Sequence, residues 1–458
     1  MPRLKVGLLV SLALVMFALL IVHAPYVNGP VSYWAWGWRR LDALFVYPCI
    51  VLAGIPFLAA QFLDLRRCRF RIAAIALLVI SSWMIRVAGV MVRDDPPSMA
   101  PLPRLIGNPQ ATSYFTDAMT LSNISIREWM ADYPQRMPNL NLHSQTKPPG
   151  PVIYWWVFIK LFGVTQKGAI IGGLTLGLFG ALAIPATYLL LKHLLLDSVA
   201  AFCGASFLAL SPGFVLFFPM FDSTYILLSC ALIGFWSLAL RDDRPVWSVM
   251  LGATLGLILV ITYNILVIGV FMMAVALVTG DWSRSRRMER IAKHATIAAG
   301  TTISMLVILR FALGFHPIQT FTAAWTIQRR LLAEHPGERP WPQTIPFDLT
   351  DFALGSAWVS YLLAIYYFAG PKRQTVPNDQ PPSQWMVAIL AILQLVIVAL
   401  TGLLPLETAR VWNFLLPLLM IPIGLELQSW TRKERLIVYG AVLLITAAIC
   451  QNLTFIGD

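Results

Sequence analysis

The apolar residues of this chain come in runs of about 17–24 with few charges, the length that crosses a hydrocarbon core of about 30 Å when coiled as a helix. Such runs cannot all be hidden in a water-soluble core. Hydrophobic residues make up 58% of the 458-residue chain and charged ones only 12%, against about a quarter charged in ordinary soluble domains. Helices through lipid satisfy every backbone group internally, so the sequence predicts an all-α polytopic membrane protein.

Thirteen spans are predicted: Val6–Ala24, Ala43–Phe62, Ile72–Val92, Gly168–Leu191, Val199–Phe218, Ser223–Leu240, Val246–Thr262, Ile265–Gly280, Ala295–Leu313, Phe352–Ala369, Trp385–Leu404, Val411–Leu427 and Leu436–Cys450. The stretch from Val246 to Gly280 would be about 50 Å long as one helix, too long for a single crossing. Splitting it at Tyr263 and Asn264 puts Arg241 and Arg244 on the same side as the basic run from Arg284. The first run is read as a retained span, because Val6 to Val22 is long for a signal-peptide core and no convincing small-residue cleavage site follows.

The formal charge of +12 invites a nucleic-acid reading, which the placement of the charge excludes. Arg66, Arg67, Arg69 and Arg71, the run from Arg284 to Lys293, and Arg432, Lys433 and Arg435 all lie within a few residues of spans, where such bias sets cytoplasmic orientation. This puts the N-terminus inside, the C-terminus outside, and two long segments outside: Arg93–Lys167 and His316–Asp351. The Pro-rich linker Pro371–Ser383 then falls on the opposite face. The chain therefore divides into N-terminal spans (1–92), an outer catalytic loop (93–167), central spans (168–315), a second outer loop (316–351) and C-terminal spans (352–458). Five scattered cysteines, with no Cys-x-x-Cys or Cys/His spacing, give neither a disulfide framework nor a structural zinc site.

Val152–Phe162 is apolar but too short to span. Prolines 148, 149 and 151 precede it and Gly163 follows, and it carries Tyr154, Trp155, Trp156 and Lys160. Those residue types favour the headgroup level, so an interfacial helix is expected.

Ionisable groups gather on the predicted outer face. The first loop brings Asp117 in Tyr114-Phe115-Thr116-Asp117, then His143 and Lys147 just before the two prolines; Asp222 opens a span, and Glu407 and Arg410 open another. For any one of these residues, a charge marking the interface is as good an account as a functional one. Four segments meeting at one face favour a site, with Lys147 and Arg410 suited to an anionic headgroup. Arg86 and Arg310 lie a turn or two inside their spans and are expected to snorkel. The triplets Asn123-Ile124-Ser125 and Asn452-Leu453-Thr454 match the N-glycosylation pattern.

The set resembles the GT-C superfamily of polyprenyl-phosphate-sugar-dependent glycosyltransferases, in the branch of protein mannosyltransferases and the lipid A aminoarabinose transferase. Asp117, the Lys147-Pro148-Pro149 turn running into Tyr154-Trp155 and Lys160-Leu161-Phe162-Gly163, Asp222, and Glu407-x-x-Arg410 before Phe414-Leu415-Leu416-Pro417 carry the resemblance. It implies a GT-C-like helical bundle and a reaction in which an acceptor hydroxyl or amine attacks the anomeric carbon of a lipid-phosphate sugar. It assigns the acceptor proton to Asp117 and the departing phosphate to Lys147 and Arg410. Asp222 is then a second catalytic carboxylate, and His143 and Glu407 join Lys147 and Arg410 in binding substrate. No cofactor is fixed, and oxygen-rich groups such as Asp222, with His143 as a partner, suit magnesium or manganese. The loop follows the third span rather than the first, so an extra N-terminal hairpin is required, and Thr146 stands where the aminoarabinose branch often has an acid.

The partners implied are the lipid-linked donor, a lipid, glycan or protein acceptor, and membrane lipids, with no nucleic acid; the compact loops and short tails favour a bacterial inner membrane. A lipid-linked glycan transporter or flippase is the main rival. It should place ionisable groups near the midplane and show duplicated halves, whereas the span centres here read as almost free of charge. Another enzyme acting on lipid-linked substrates and a noncatalytic scaffold complete the alternatives.

Overall fold

A computed structural model describes residues 2–29, 35–121, 124–278, 284–334, 341–370 and 384–456. Among the described residues the regular structure is all helical apart from one antiparallel strand pair, Gly37–Trp38 with Leu453–Thr454. Among the described residues, eight helices are long and apolar enough to cross a membrane, and a ninth arises if one bent pair counts as a single span. The eight are Leu4–Ile21, Ala43–Gln61, Cys68–Met91, Gln166–Leu195, Phe221–Asp242, Arg286–Leu313, Gln384–Thr401 and Arg432–Asn452.

The other predicted spans differ in instructive ways. Phe352–Ala369 is not one helix: Thr344–Gly355 and Val359–Ala369 meet at 101°, across Ala357 and Trp358 at φ values of 68° and 38°. Two successive residues in the left-handed region cannot continue a right-handed helix. Four more runs form apolar helices of 10–17 residues. Ser198–Leu210 stops at Ser211-Pro212, because a proline disfavours helical geometry in the residue before it. The split near Tyr263 is present: Pro245–Ile261 ends at an extended Thr262, and a 3-10 turn from Asn264 leads into Gly269–Val278. The Asn123 sequon and the 371–383 linker lie outside the described residues.

The described chain forms two compact units. The first comprises Met1–Met99, Gly177–Cys230 and Pro340–Phe455. Its centre is the pair Ser198–Leu210 and Leu416–Leu427, whose facing residues are nearly all buried. The backbones approach so closely at Gly424 that a Cβ there would stand 2.3 Å from the Ala200 carbonyl oxygen. Small residues allow this approach, and close packing is what holds helices together where lipid removes the hydrophobic drive. Helix ends are capped by side chains: Asp42 accepts from Leu44 N, Asp197 from Val199 N and Ala200 N, and Thr431 forms a capping box with Glu434. Asn452 is buried and donates to the Ala448 carbonyl, so this sequon is not available to a glycan.

Arg86 departs from its expected role. It lies on Cys68–Met91 and is 1% exposed. Its Nη1 donates to the Gly177 carbonyl at 3.2 Å and the guanidinium stacks 4.0 Å from the Phe214 ring centre. Gly180 makes the room, since a Cβ there would meet Nη1 at 2.1 Å. This span therefore carries a buried cation rather than a snorkelling one. Arg310, by contrast, is exposed and meets His316.

The second unit comprises Ala100–Leu176, Ala231–Arg339 and Ile456–Asp458. Helix Pro245–Ile261 packs along Arg284–Leu313, with Thr302 Oγ1 donating to the Gly252 carbonyl at 2.9 Å. At one end of that pair His294, fully buried, bridges Ser248 Oγ at 2.6 Å and Asp243 at 2.9 Å. Lys293 and Arg290 close on the same Asp243. The loop from Ala100 folds into short helices followed by Gly150–Phe162, and the second predicted outer loop contains a long helix, Pro317–Glu334.

Candidate active site

In the second unit, Pro148 and Pro149 precede the helix Gly150–Phe162 and Pro151 stands in its first turn, where a proline costs no hydrogen bond. The helix buries Val152, Trp155 and Ile159. Trp155 packs edge-on against Phe115 at 5.5 Å between ring centres. Phe115 belongs to the short helix Tyr114–Met119, so the predicted interfacial helix is the floor on which the Asp117 segment rests.

Asp117 is 4% exposed. Both its oxygens accept from Asn141 N at 3.3 Å, and Oδ1 accepts from Asn141 Nδ2 at 2.7 Å. The same Nδ2 donates to Thr116 Oγ1 at 3.0 Å. Burial pushes the Asp117 carboxyl above its ordinary range, and Ser144 and Asn141 oppose the rise by favouring the charged form. A carboxylate made more basic and held in place suits proton acceptance.

His143 and Lys147 are half-buried and lie on the same segment as Asn141. His143 N donates to Ser113 Oγ at 3.2 Å, which ties this segment to the turn ahead of Asp117. Tyr133, wholly buried, donates its hydroxyl to the carbonyls of Lys147 at 2.9 Å and Ser144 at 3.3 Å. Burial first, and then the nearby charge of Asp117, hold the Tyr133 hydroxyl well above the usual phenol range, so it stays a neutral donor. Asn141, Ser144 and Tyr133 were not singled out from the sequence. Asn141 and Ser144 stood within the same polar stretch as His143, and their polar type there was the available signal.

The first unit holds the other predicted residues. Asp222 is 4% exposed on the 3-10 turn Phe221–Thr224, which packs against the turns Thr408–Val411 and Asn413–Leu415. Asp222 and the Arg410 segment are thus neighbours. Arg410, 9% exposed, pairs with Glu407. Leu406 and Glu407 hold φ values of 67° and 47°, an arrangement that persists only where the surroundings impose it. Two carboxylates, the buried Asp348 and the half-buried Asp351, do so. Asp348 Oδ1 accepts from Leu406 N at 3.0 Å, and Asp351 accepts from Ala409 N at 3.0 Å, from Thr408 Oγ1 at 3.3 Å and from Trp36 Nε1 at 2.6 Å. Neither Asp348 nor Asp351 was selected from the sequence, since both fall where a loop was expected to meet a span.

Among the described residues no group of three or more His, Cys, Asp or Glu side chains is placed to hold a metal ion. The divalent-cation expectation finds no donor set there, and no step is assigned to a metal.

The architecture is that of a polytopic helical membrane protein with its polar clusters on turns between helices. Residues 146–310 match the family model described as dolichyl-phosphate-mannose-protein mannosyltransferase, which bears out over that segment the resemblance to GT-C glycosyltransferases. The match includes Lys147 and stops short of both Asp117 and Arg410. No curated protein matches the chain. Among solved structures, it is similar to the Archaeoglobus fulgidus oligosaccharyltransferase crystallised with zinc and sulfate, at 13% identity and a TM-score of 0.49, covering 83% of this chain and 54% of that one. It is also similar to the archaeal oligosaccharyltransferase AglB from Archaeoglobus fulgidus in complex with an inhibitory peptide and a dolichol-phosphate, at 12% identity and a TM-score of 0.37, covering 83% and 50%. The chain spans about half the length of these structures.

Proposed function

We propose that this protein is an integral membrane glycosyltransferase that moves a sugar from a polyprenyl-phosphate carrier to a lipid, glycan or protein acceptor, at the non-cytoplasmic face of a bacterial inner membrane. The observation that carries the reading is Asp117: a buried carboxyl of raised basicity, clamped by Asn141, on the segment that leads into the mannosyltransferase-like stretch. The acceptor oxygen or nitrogen bonds to the anomeric carbon as the bond from that carbon to the phosphate oxygen breaks. The electron pair leaves with the lipid phosphate, and the acceptor proton passes to Asp117. Lys147 supplies positive charge for the phosphate, with His143 beside it on the chain. In the first unit, Arg410 offers a planar fork suited to a phosphate, Glu407 orients it, and Asp222 is the second carboxylate.

The test is direct. Purified protein in lipid nanodiscs is supplied with a panel of polyprenyl-phosphate sugars, and release of the lipid phosphate together with transfer of the sugar is followed. Consumption of at least one donor is expected. If no donor is consumed while the protein moves lipid-linked glycans across a proteoliposome membrane, the enzyme reading fails.

A further inference from the structure

In the first unit, a cavity of about 580 Å³ opens where the start of helix Ala43–Ala53 meets the ends of Cys68–Met91 and Arg432–Asn452. Beside Leu41, Ala43, Phe45 and Val92, its lining carries charges of both signs: Arg40 and Arg93, with Asp42, Asp94 and Asp95, and the polar Gln451. None of these residues has a part in the proposed transfer. The volume lies in the range of small-ligand sites, about 300–1,000 Å³.

The helix that begins at this cavity presents an apolar stripe. Leu44 is 78% exposed, and Val51, Leu52, Ile55, Leu58 and Phe62 are each at least half exposed. Their spacing returns to one helical face every three to four residues. This face belongs to a 19-residue apolar stretch, Ala43–Gln61, about 28 Å of helix and a match for the depth of one hydrocarbon core. A doubly charged polar cavity at the head of such a stripe has the layout of a lipid: headgroup above, acyl chain below.

We infer that this cavity binds the headgroup of a membrane phospholipid bearing both a phosphate and a primary ammonium, with an acyl chain along the Leu44–Phe62 face. The arginines meet the phosphate. The aspartates accept from the ammonium, whose N–H groups a quaternary amine lacks. Three carboxylates disfavour an anionic headgroup with no ammonium of its own. The inference is independent of the transfer reaction, because it rests on a different set of residues.

Native mass spectrometry of the delipidated full-length protein tests it, with phosphatidylethanolamine, phosphatidylglycerol and phosphatidylcholine titrated in turn. Phosphatidylethanolamine is expected to bind at least about tenfold tighter than either other lipid, a difference of about 1.4 kcal/mol. Arg40→Gln with Asp95→Asn changes two exposed lining residues and should erase the preference without shifting the melting temperature. Equal binding of the three lipids by the unmodified protein overturns the proposal, whatever the variant does. So does a folded double variant that keeps the preference. Free phosphoethanolamine should bind far more weakly than the lipid, and equal affinity would contradict the lipid assignment.

Discussion

Asn141 holds Asp117 through two donors, its backbone amide at 3.3 Å and its side-chain amide at 2.7 Å. The contact joins two short segments of one loop, fixes the direction of the carboxylate and opposes the rise in its pKa that burial causes. Asn141→Ala removes the side-chain donor, one of the influences that lower the Asp117 pKa. The pKa rises further, and activity that needs the ionised base appears only at higher pH. The acidic limb of the rate profile should therefore move to higher pH, with the rate at high pH reduced less than the rate at low pH. A limb that stays in place would detach Asn141 from the base.

Tyr133→Phe deletes the hydroxyl that donates to the Ser144 and Lys147 carbonyls. Both carbonyls belong to a segment whose path depends on that clamp. The Ser144 carbonyl keeps the Lys147 N–H as a donor, but the Lys147 carbonyl loses the tyrosine hydroxyl, at a cost of about 1–3 kcal/mol, to be seen as a lower denaturation midpoint. Donor KM should rise more than kcat falls, because Lys147 is displaced rather than removed. Unchanged stability would mean that water replaces the hydroxyl.

Arg86 yields a prediction of opposite sign for two substitutions. Its Nε and Nη2 have no hydrogen-bond partner among the described residues, so a buried cation is held by one carbonyl and one ring. Arg86→Met keeps most of the volume and removes the desolvated charge, and should leave stability unchanged or raise it. Arg86→Ala opens a cavity against Phe214 and should cost about 2–5 kcal/mol. Thermal melting of the two variants side by side decides this, and equal losses would show that the charge itself stabilises the unit.

Arg410→Lys retains the charge and loses the planar fork, and Glu407→Gln retains the shape and loses the charge. If Arg410 meets the carrier phosphate, Arg410→Lys should weaken donor binding about tenfold or more while the fold is kept by Asp348 and Asp351. Glu407→Gln should affect affinity less, since the amide oxygen can still accept from the guanidinium and keep it oriented. Donor affinities measured by calorimetry in nanodiscs give the comparison, and a larger effect from Glu407→Gln would make the pair structural.

Legibility from the sequence followed the physics of each signal. Apolar runs bounded by charge located the eight long helices, and the over-long run from Val246 revealed its own break near Tyr263. Prolines before Val152 announced the start of a helix whose length excluded a span. The 101° corner after Gly355 was hidden because its left-handed residues are Ala357 and Trp358, neither a type that marks a turn. Arg86 misled because the glycine that accommodates it, Gly180, lies far along the chain. Asp117 and Lys147 stood out as charges in a polar loop. Asp348 and Asp351 did not, since their role is to hold the backbone from Leu406 to Ala409, a pairing that no local pattern encodes.

Asp117→Asn tests the central claim most directly. Burial raises the folded-state pKa of this carboxyl above its unfolded value. Its protonated form is therefore favoured by folding, and that contribution is lost as pH rises through the folded pKa. A neutral amide avoids this loss, so the variant should melt at or above the unmodified protein at neutral pH. Sugar transfer from a polyprenyl-phosphate donor should nevertheless fall by about 100-fold or more, the usual contribution of a general base. A folded Asp117→Asn protein that transfers sugar at the unmodified rate would contradict the account.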